Sequence, residues 1–119
     1  MPTDYIEEPE RAWLACAIDS EGSITSSKYQ RQVTITNTDI RFCSRCFEIT
    51  ERGNIYHYPH FRHMSEYYRW SIGGKDDVEF VLNQLLDRLI LKKDKALEAL
   101  SFYANKTSHQ YNKRGKVLR

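Results

Sequence analysis

Leu14-Ala15-Cys16-Ala17-Ile18-Asp19-Ser20-Glu21-Gly22-Ser23-Ile24 is the stretch whose reading decides the fold. It reads as the end of a short helix, an acidic residue set against a glycine, and the start of a strand. Pro9 suits a first helical position and Glu10 complements the positive end of the helix dipole, so the helix is placed over about 9–20. Ala12, Ala15, Cys16 and Asp19 recur at i, i+3, i+4 and i+7, a stripe of small side chains that lets a second helix come close. Trp13, Leu14, Ala17 and Ile18 point elsewhere and are candidates for a core. Gly22 frees the backbone to turn and leaves Glu21 at the helix mouth.

The chain around this stretch has 119 residues, enough for one compact domain. A content of 40% hydrophobic and 13% aromatic residues excludes a disordered composition. There is no apolar run long enough to span a bilayer and no charged-then-apolar leader, so no membrane partner is expected. Three cysteines without a framework spacing point to a reducing intracellular compartment, cytoplasm or organelle. The net charge is only +2, but residues 1–91 carry −4 and residues 92–119 carry +6. That basic segment is suited to lie on phosphates, the other reading of residues 106–119 being a solvated tail.

Residues 1–8 are polar and acidic and expected to be mobile. Residues 23–29 and 31–37 read as strands; in the second, Val33 and Ile35 alternate with Gln32, Thr34 and Thr36. Thr38 or Asn37 is placed to cap a helix from Asp39 to about Glu51, with Ile40, Cys43 and Phe47 as its apolar stripe and Cys46 beside it. After Gly53-Asn54, residues 54–61 and 65–72 read as a second hairpin that Gly73-Gly74 ends. A long helix from Asp76 or Asp77 buries Val78, Val81, Leu82, Leu85, Leu86 and Leu89, and Leu91 to Tyr103 forms a last helix after a bend. The expected class is α+β, in the order αββαββα, with a single domain over 9–105 and a basic tail over 106–119.

Leu14, Ala15, Ile18, Asp19 and Gly22 match the nine-residue signature of the LAGLIDADG homing endonucleases, and the chain resembles that family. Glu21 occupies the acidic position before the final glycine. Ser20 is a mild change, Ala17 replaces a large apolar residue, and Cys16 replaces the glycine at which two such helices touch. Ile35-Thr36-Asn37-Thr38-Asp39, Gly53-Asn54-Ile55-Tyr56 and Leu89-Ile90-Leu91-Lys92-Lys93-Asp94-Lys95-Ala96 resemble further family segments, in the family's order. The resemblance implies a saddle-shaped antiparallel sheet of four strands with the helices on one face. One motif without an internal repeat implies a homodimer through the first helix, with Ala12, Ala15, Cys16 and Asp19 at the contact and the two Glu21 carboxylates close. Two-fold symmetry in turn implies a pseudo-palindromic site on double-stranded DNA.

By the same resemblance the activity is hydrolysis of both DNA strands at a long target, leaving staggered 3′ overhangs. Glu21, with backbone carbonyls near Ser20, would ligate Mg²⁺, with Mn²⁺ or Ca²⁺ able to occupy the site. Lys92 matches the family's active-site lysine, with Lys93 and Lys95 competing; Asn37 matches a residue that orders solvent, and Arg41 one that reaches the phosphate. DNA reading is expected on the uncovered face of the strands. Thr25, Ser27 and Tyr29 are its candidates in the first strand, and Gln30, Gln32 and Thr34 across the turn. Tyr58, His60 and Arg62 follow in the third strand, and Tyr67, Arg69 and Ser71 in the fourth, where Tyr68, Trp70 and Ile72 suit the core. Lys28 and Arg31 at the hairpin tip suit phosphate contacts, and a one-residue slip would reverse any of these sets.

Cys43 and Cys46 with His57, His60 and His63 form the competing zinc pattern. Cys43 fits a core stripe and histidines three apart on a strand diverge, so zinc is not expected. A group I intron RNA maturase and a non-cutting DNA-binding protein are alternatives on the same fold. The retained Glu21, Lys92 and Asn37 favour the cutting protein.

Overall fold

The structure, a computed structural model, describes residues 3–105, and the expected basic tail 106–119 lies outside the described residues. The order is α1 (Glu8–Glu21), β1 (Gly22–Ser26), β2 (Arg31–Asn37), α2 (Ile40–Thr50), β3 (Asn54–Tyr58), β4 (Tyr67–Gly73), α3 (Lys75–Leu85), a 3₁₀ turn (Leu86–Arg88) and α4 (Lys93–Ala104). The strands form one antiparallel sheet in the order β1-β2-β4-β3. This is the αββαββα arrangement expected from the residues, with the expected last helix, α4, following it after a bend.

Strand alternation decides which face the helices cover. Ile24, Val33, Ile35, Trp70 and Ile72 share one face through the pairings Ile24↔Val33, Val33↔Ile72 and Ile35↔Trp70, and all five are buried. Against them pack Leu14 and Ile18 of α1, Cys43, Cys46 and Ile49 of α2, Val78, Val81, Leu82 and Leu85 of α3, and Ala96, Ala99 and Tyr103 of α4. The opposite face carries Ser23, Thr25, Gln32, Thr34, Thr36, Arg69 and Ser71, all half-buried or exposed.

Glycine is required at position 22 for a different reason from the expected freedom to turn. Gly22 is extended, with φ −99° and ψ 175°. A Cβ there would lie 2.9 Å from both Cα and O of Ile18 and 3.1 Å from the Thr34 carbonyl, so the residue lets β1 leave the helix while touching its last turn. Positive φ, which glycine adopts freely, occurs instead at Gly53 and Gly74, at +95° and +91°.

Several local expectations are corrected. Residues 3–8 do not hang free: Ile6 is buried, its N–H donates to Gln84 Oε1 at 3.0 Å, and Arg52 donates to the Thr3 carbonyl at 2.7 Å. The cap of α2 is Asp39 rather than Thr38 or Asn37, because its carboxylate accepts the Arg41 N–H at 2.9 Å. The buried stripe of α2 is Cys43, Cys46, Ile49 and Thr50, while Ile40 and Phe47 are exposed. Thr50 tolerates burial because its hydroxyl donates to the Cys46 carbonyl at 2.9 Å. Strands β1 and β3 stop at Ser26 and Tyr58, short of the expected ends, and α4 begins at Lys93, leaving Leu91 outside it. Pro59, which has no N–H to give the ladder, follows β3 directly.

Candidate nucleic-acid interface and acidic site

The acidic site forms where α1 runs into β1. Glu21 is the last residue of α1 and is exposed, and its carboxylate has no hydrogen bond or ion pair among the described residues. Ser20 beside it turns its hydroxyl back onto the helix, donating to the Cys16 carbonyl at 2.8 Å. Asp19 is committed inside the chain. Its two carboxylate oxygens accept the backbone N–H of Ile90 at 2.8 Å and of Lys92 at 2.9 Å. Partial burial raises its proton affinity, but the N–H groups of Ile90, Lys92 and Leu91 and the Lys92 charge outweigh that and hold the carboxyl below its ordinary range. Asp19 thus anchors the loop before α4.

Lys92 completes this junction. Its ammonium donates to the Asp19 backbone carbonyl at 2.9 Å, satisfying one of the acceptors left open at the end of α1. The side chain therefore stands at the same helix end from which Glu21 emerges. Lys93 and Lys95 lie in the first turn of α4 and are exposed.

Register brings Asn37 to the same end of the sheet. Gly22 pairs with Ile35, so Thr36 and Asn37 continue β2 beside the start of β1. The Asn37 side-chain amide oxygen Oδ1 accepts the Asp39 N–H at 2.8 Å, which opens the turn into α2. Arg41 is 88% exposed, and its guanidinium folds onto Asp39 at 2.7 Å. Hydrogen bonding from Arg41 holds the Asp39 carboxyl down to about 2.

Of the expected DNA-facing residues, Thr25, Gln32, Thr34, Tyr58, Tyr67, Arg69 and Ser71 lie on the open face. Ser27, Lys28, Tyr29 and Gln30 form the β1–β2 turn beyond the strand, closed by the Ser27 N–H on the Gln30 carbonyl at 2.9 Å. His60 and Arg62 belong to the β3–β4 turn rather than to β3. Arg31 is a correction. It points to the helix side, its guanidinium pairs with Glu98 of α4 at 2.6 Å with only 11% of the side chain exposed, and it stacks on the Phe102 ring at 3.8 Å. The alternation that puts Gln32 on the open face puts Arg31 under it. Sequence reading missed Ser23, Thr36, Asn54 and Tyr56 on the open face. Cross-strand pairing reveals them, since Tyr56 opposes Arg69 and Asn54 opposes Ser71. Tyr58 and Tyr67 stack there, with centroids 4.7 Å apart and planes 9° from parallel, and Arg69 lies 5.2 Å over the Tyr58 ring.

A second feature lies on α1. Ala12, Cys16, Asp19 and Ser20 line a shallow apolar groove with Arg88, Ile90 and Leu91. Ile90 and Leu91 are 79% and 76% exposed, the most exposed large apolar residues described. Ala15, expected on this surface, is buried in the chain's own core at 1% exposure, because the stripe turns inward there.

The cysteines and histidines of the zinc pattern are not brought together among the described residues. Cys43 and Cys46 are core side chains, and burial pushes the Cys46 thiol up to about 12. His57 Nε2 lies 2.6 Å from Glu66, and its ring stacks on Tyr68. No helix among the described residues is long and apolar enough to cross a membrane.

No family model and no curated protein matches the chain. Solved structures do. The homing endonuclease I-CvuI, crystallised with its DNA target and Ca, superposes with a TM-score of 0.65 at 20% identity, over 81% of this chain and 66% of that one. The archaeal intron-encoded homing endonuclease I-Vdi141I complexed with DNA gives 0.67 at 17% identity, over 80% of this chain and 67% of that one. The LAGLIDADG homing endonuclease I-SmaMI bound to cleaved DNA gives 0.63 at 14% identity, over 87% of this chain and 40% of that one. The chain thus spans about two thirds of the first two and well under half of the third. The likeness establishes the LAGLIDADG homing endonuclease fold.

Proposed function

We propose that two copies of this chain form a site-specific, divalent-metal-dependent endonuclease of double-stranded DNA. The observation that carries this reading is Glu21: an exposed carboxylate, unpartnered among the described residues, at the junction of the signature helix and the open sheet. A carboxylate merely decorating a surface gains nothing from that position. One about to ligate a cation must be free of internal partners.

Carboxylate and carbonyl oxygens suit a hard cation such as Mg²⁺, so Glu21 and the adjacent backbone carbonyls fit the group. When bound, such an ion supplies an activated water and charge neutralisation at the leaving oxygen. Lys92, anchored to Asp19, brings a positive charge to the same helix end. Arg41, exposed at the start of α2, is free to exchange Asp39 for a phosphate oxygen. Asn37 positions the turn that presents Arg41. Each Glu21 would serve one strand, which produces staggered ends.

The open face supports the choice of DNA. Its strand residues include no carboxylate and are rich in hydroxyl, amide and tyrosine groups able to meet base edges in a major groove. Ile90 and Leu91 beside Ala12 and Cys16 support a two-fold dimer, since an isologous contact would cover both. Residues 106–119 would add phosphate contacts. Three cysteines without disulfide bonds suit a reducing compartment.

The test is selection of cleaved sequences from a randomised pseudo-palindromic duplex library with Mg²⁺, comparing wild type with Glu21→Gln. Enrichment of one site by wild type, with staggered ends, and binding without cutting by Glu21→Gln is the expected result. A folded, dimeric wild type that cuts no sequence would overturn the enzyme reading, and intron RNA would become the ligand to try.

A further inference from the structure

The β3–β4 turn carries an apolar feature that the cleavage chemistry does not use. Phe61 and Met64 exchange backbone hydrogen bonds, Phe61 N–H to Met64 O at 3.1 Å and Met64 N–H to Phe61 O at 2.8 Å. This closes a two-residue turn of Arg62 and His63, and Arg62 accepts a left-handed φ of +53° to make it. The pairing sets the two side chains together. Yet they are 61% and 57% exposed, an arrangement that calls for a partner. The ladder stops at Tyr58–Tyr67 and resumes only as the isolated Phe61–Met64 bridge beyond Pro59, and Phe61 and Met64 share one groove with Tyr58 and Tyr67. Those tyrosines stand on the open face, so the groove continues that face.

Charge selects the occupant. Arg62 lies 5.0 Å over the Phe61 ring and Arg69 lies 5.2 Å over the Tyr58 ring, the residues lining the groove include no carboxylate, and Glu66 in the same turn is held by His57. An apolar floor under a cationic rim fits a polyanion that presents an apolar group. In the major groove of duplex DNA that group is the 5-methyl of thymine.

Resting on the DNA-binding reading above, we infer that this groove is a specificity element that takes a thymine methyl. Register locates the base it reads. Asn37 pairs with Tyr68, and Tyr58 with Tyr67, so the β3–β4 turn lies at the end of the sheet where Glu21 emerges, opposite the β1–β2 turn. The thymine therefore belongs to the part of each half-site nearer the cut.

The experiment begins with a duplex site enriched by affinity for the full-length wild type without Mg²⁺. Each thymine is then replaced singly by deoxyuridine, which removes only the methyl group. Binding of wild type and of the doubly substituted Phe61→Ser, Met64→Ser protein is measured by fluorescence anisotropy, with melting curves to establish that the variant folds. Uracil at one near-cut position should weaken wild type about fourfold, the effect of one buried methyl. The double variant should bind both duplexes alike. Wild-type indifference to uracil at every position overturns the inference alone, as does a variant that keeps the discrimination. Loss of self-association by the variant without any uracil effect assigns the tip to protein contact and overturns it too. Failure of wild type to bind any duplex removes the DNA-binding reading and this inference together.

Discussion

Asp19 and Lys92 hold each other reciprocally: the Asp19 carboxylate accepts the Lys92 backbone N–H at 2.9 Å, and the Lys92 ammonium donates to the Asp19 backbone carbonyl at 2.9 Å. Residues distant in the chain are thereby joined at the point where the signature helix ends. The clasp holds Lys92 at the helix end that Glu21 terminates, and between its two N–H contacts Ile90 and Leu91 stand exposed. Substituting Asp19 by Asn removes a charged acceptor from two N–H donors and should cost about 1–3 kcal/mol of stability in chemical denaturation. Unchanged stability would show that the clasp is incidental.

The same carboxylate makes the stability depend on pH. The folded carboxyl is held below its unfolded value, so its contribution is complete above an unfolded pKa of about 3.9 and disappears as pH falls through the lower folded value. Melting curves should show the gap between wild type and Asp19→Asn constant near neutrality and closing in acid. A gap that widened in acid would reverse the assignment.

Glu21→Gln should leave the melting temperature unchanged, since Glu21 has no partner to lose among the described residues. Cleavage should fall by on the order of a hundredfold or more with DNA affinity retained. Comparable cleavage by the two proteins would remove Glu21 from the reaction.

Leu91→Glu tests the apolar groove on α1. Leu91 is 76% exposed, so a charge there should barely alter the fold of one copy. Sedimentation should instead show a dimeric wild type and a monomeric variant. Equal masses for the two proteins would exclude this surface as the contact.

Arg31 and Lys28 should separate cleanly. Arg31→Ala loses the Glu98 pair and the Phe102 stack, lowering stability by about 1 kcal/mol while leaving the salt dependence of DNA binding intact. Lys28→Ala should leave stability alone and reduce the salt slope by about one for each protomer bound. The converse pattern would restore Arg31 to the DNA face.

Gly22→Ala places a methyl 2.9 Å from backbone atoms of Ile18 that cannot swing away. A loss of about 1–3 kcal/mol is expected from denaturant titration.

Element order was legible because the hydrophobic periods are strong: Val33 and Ile35 alternate, and Val78, Val81, Leu82 and Leu85 recur at helical spacing. Element ends were less so. Tyr29 and His60 have strand-forming neighbours, but closing each turn took them out of the ladder. The α2 stripe was displaced because Ile40 and Phe47, apolar as they are, fall on the side away from the sheet. In the candidate site, Glu21 was identified through its place in the signature, whereas the intrachain partners of Asp19, the N–H groups of Ile90 and Lys92, were not foreseen. A carboxylate on a small-residue stripe carries no mark of the distant N–H groups it will accept.

By itself the sequence determined the class, the order of elements, the strand face that would be buried and the acidic residue at the helix–strand junction, since each depends on neighbours a few positions away. Tertiary structure alone decided that Asp19 clasps Lys92, that Arg31 pairs under the sheet with Glu98, and that Tyr56 stands opposite Arg69 on the open face. Those outcomes depend on partners remote in the chain, and their register is set only when the sheet closes and the helices pack.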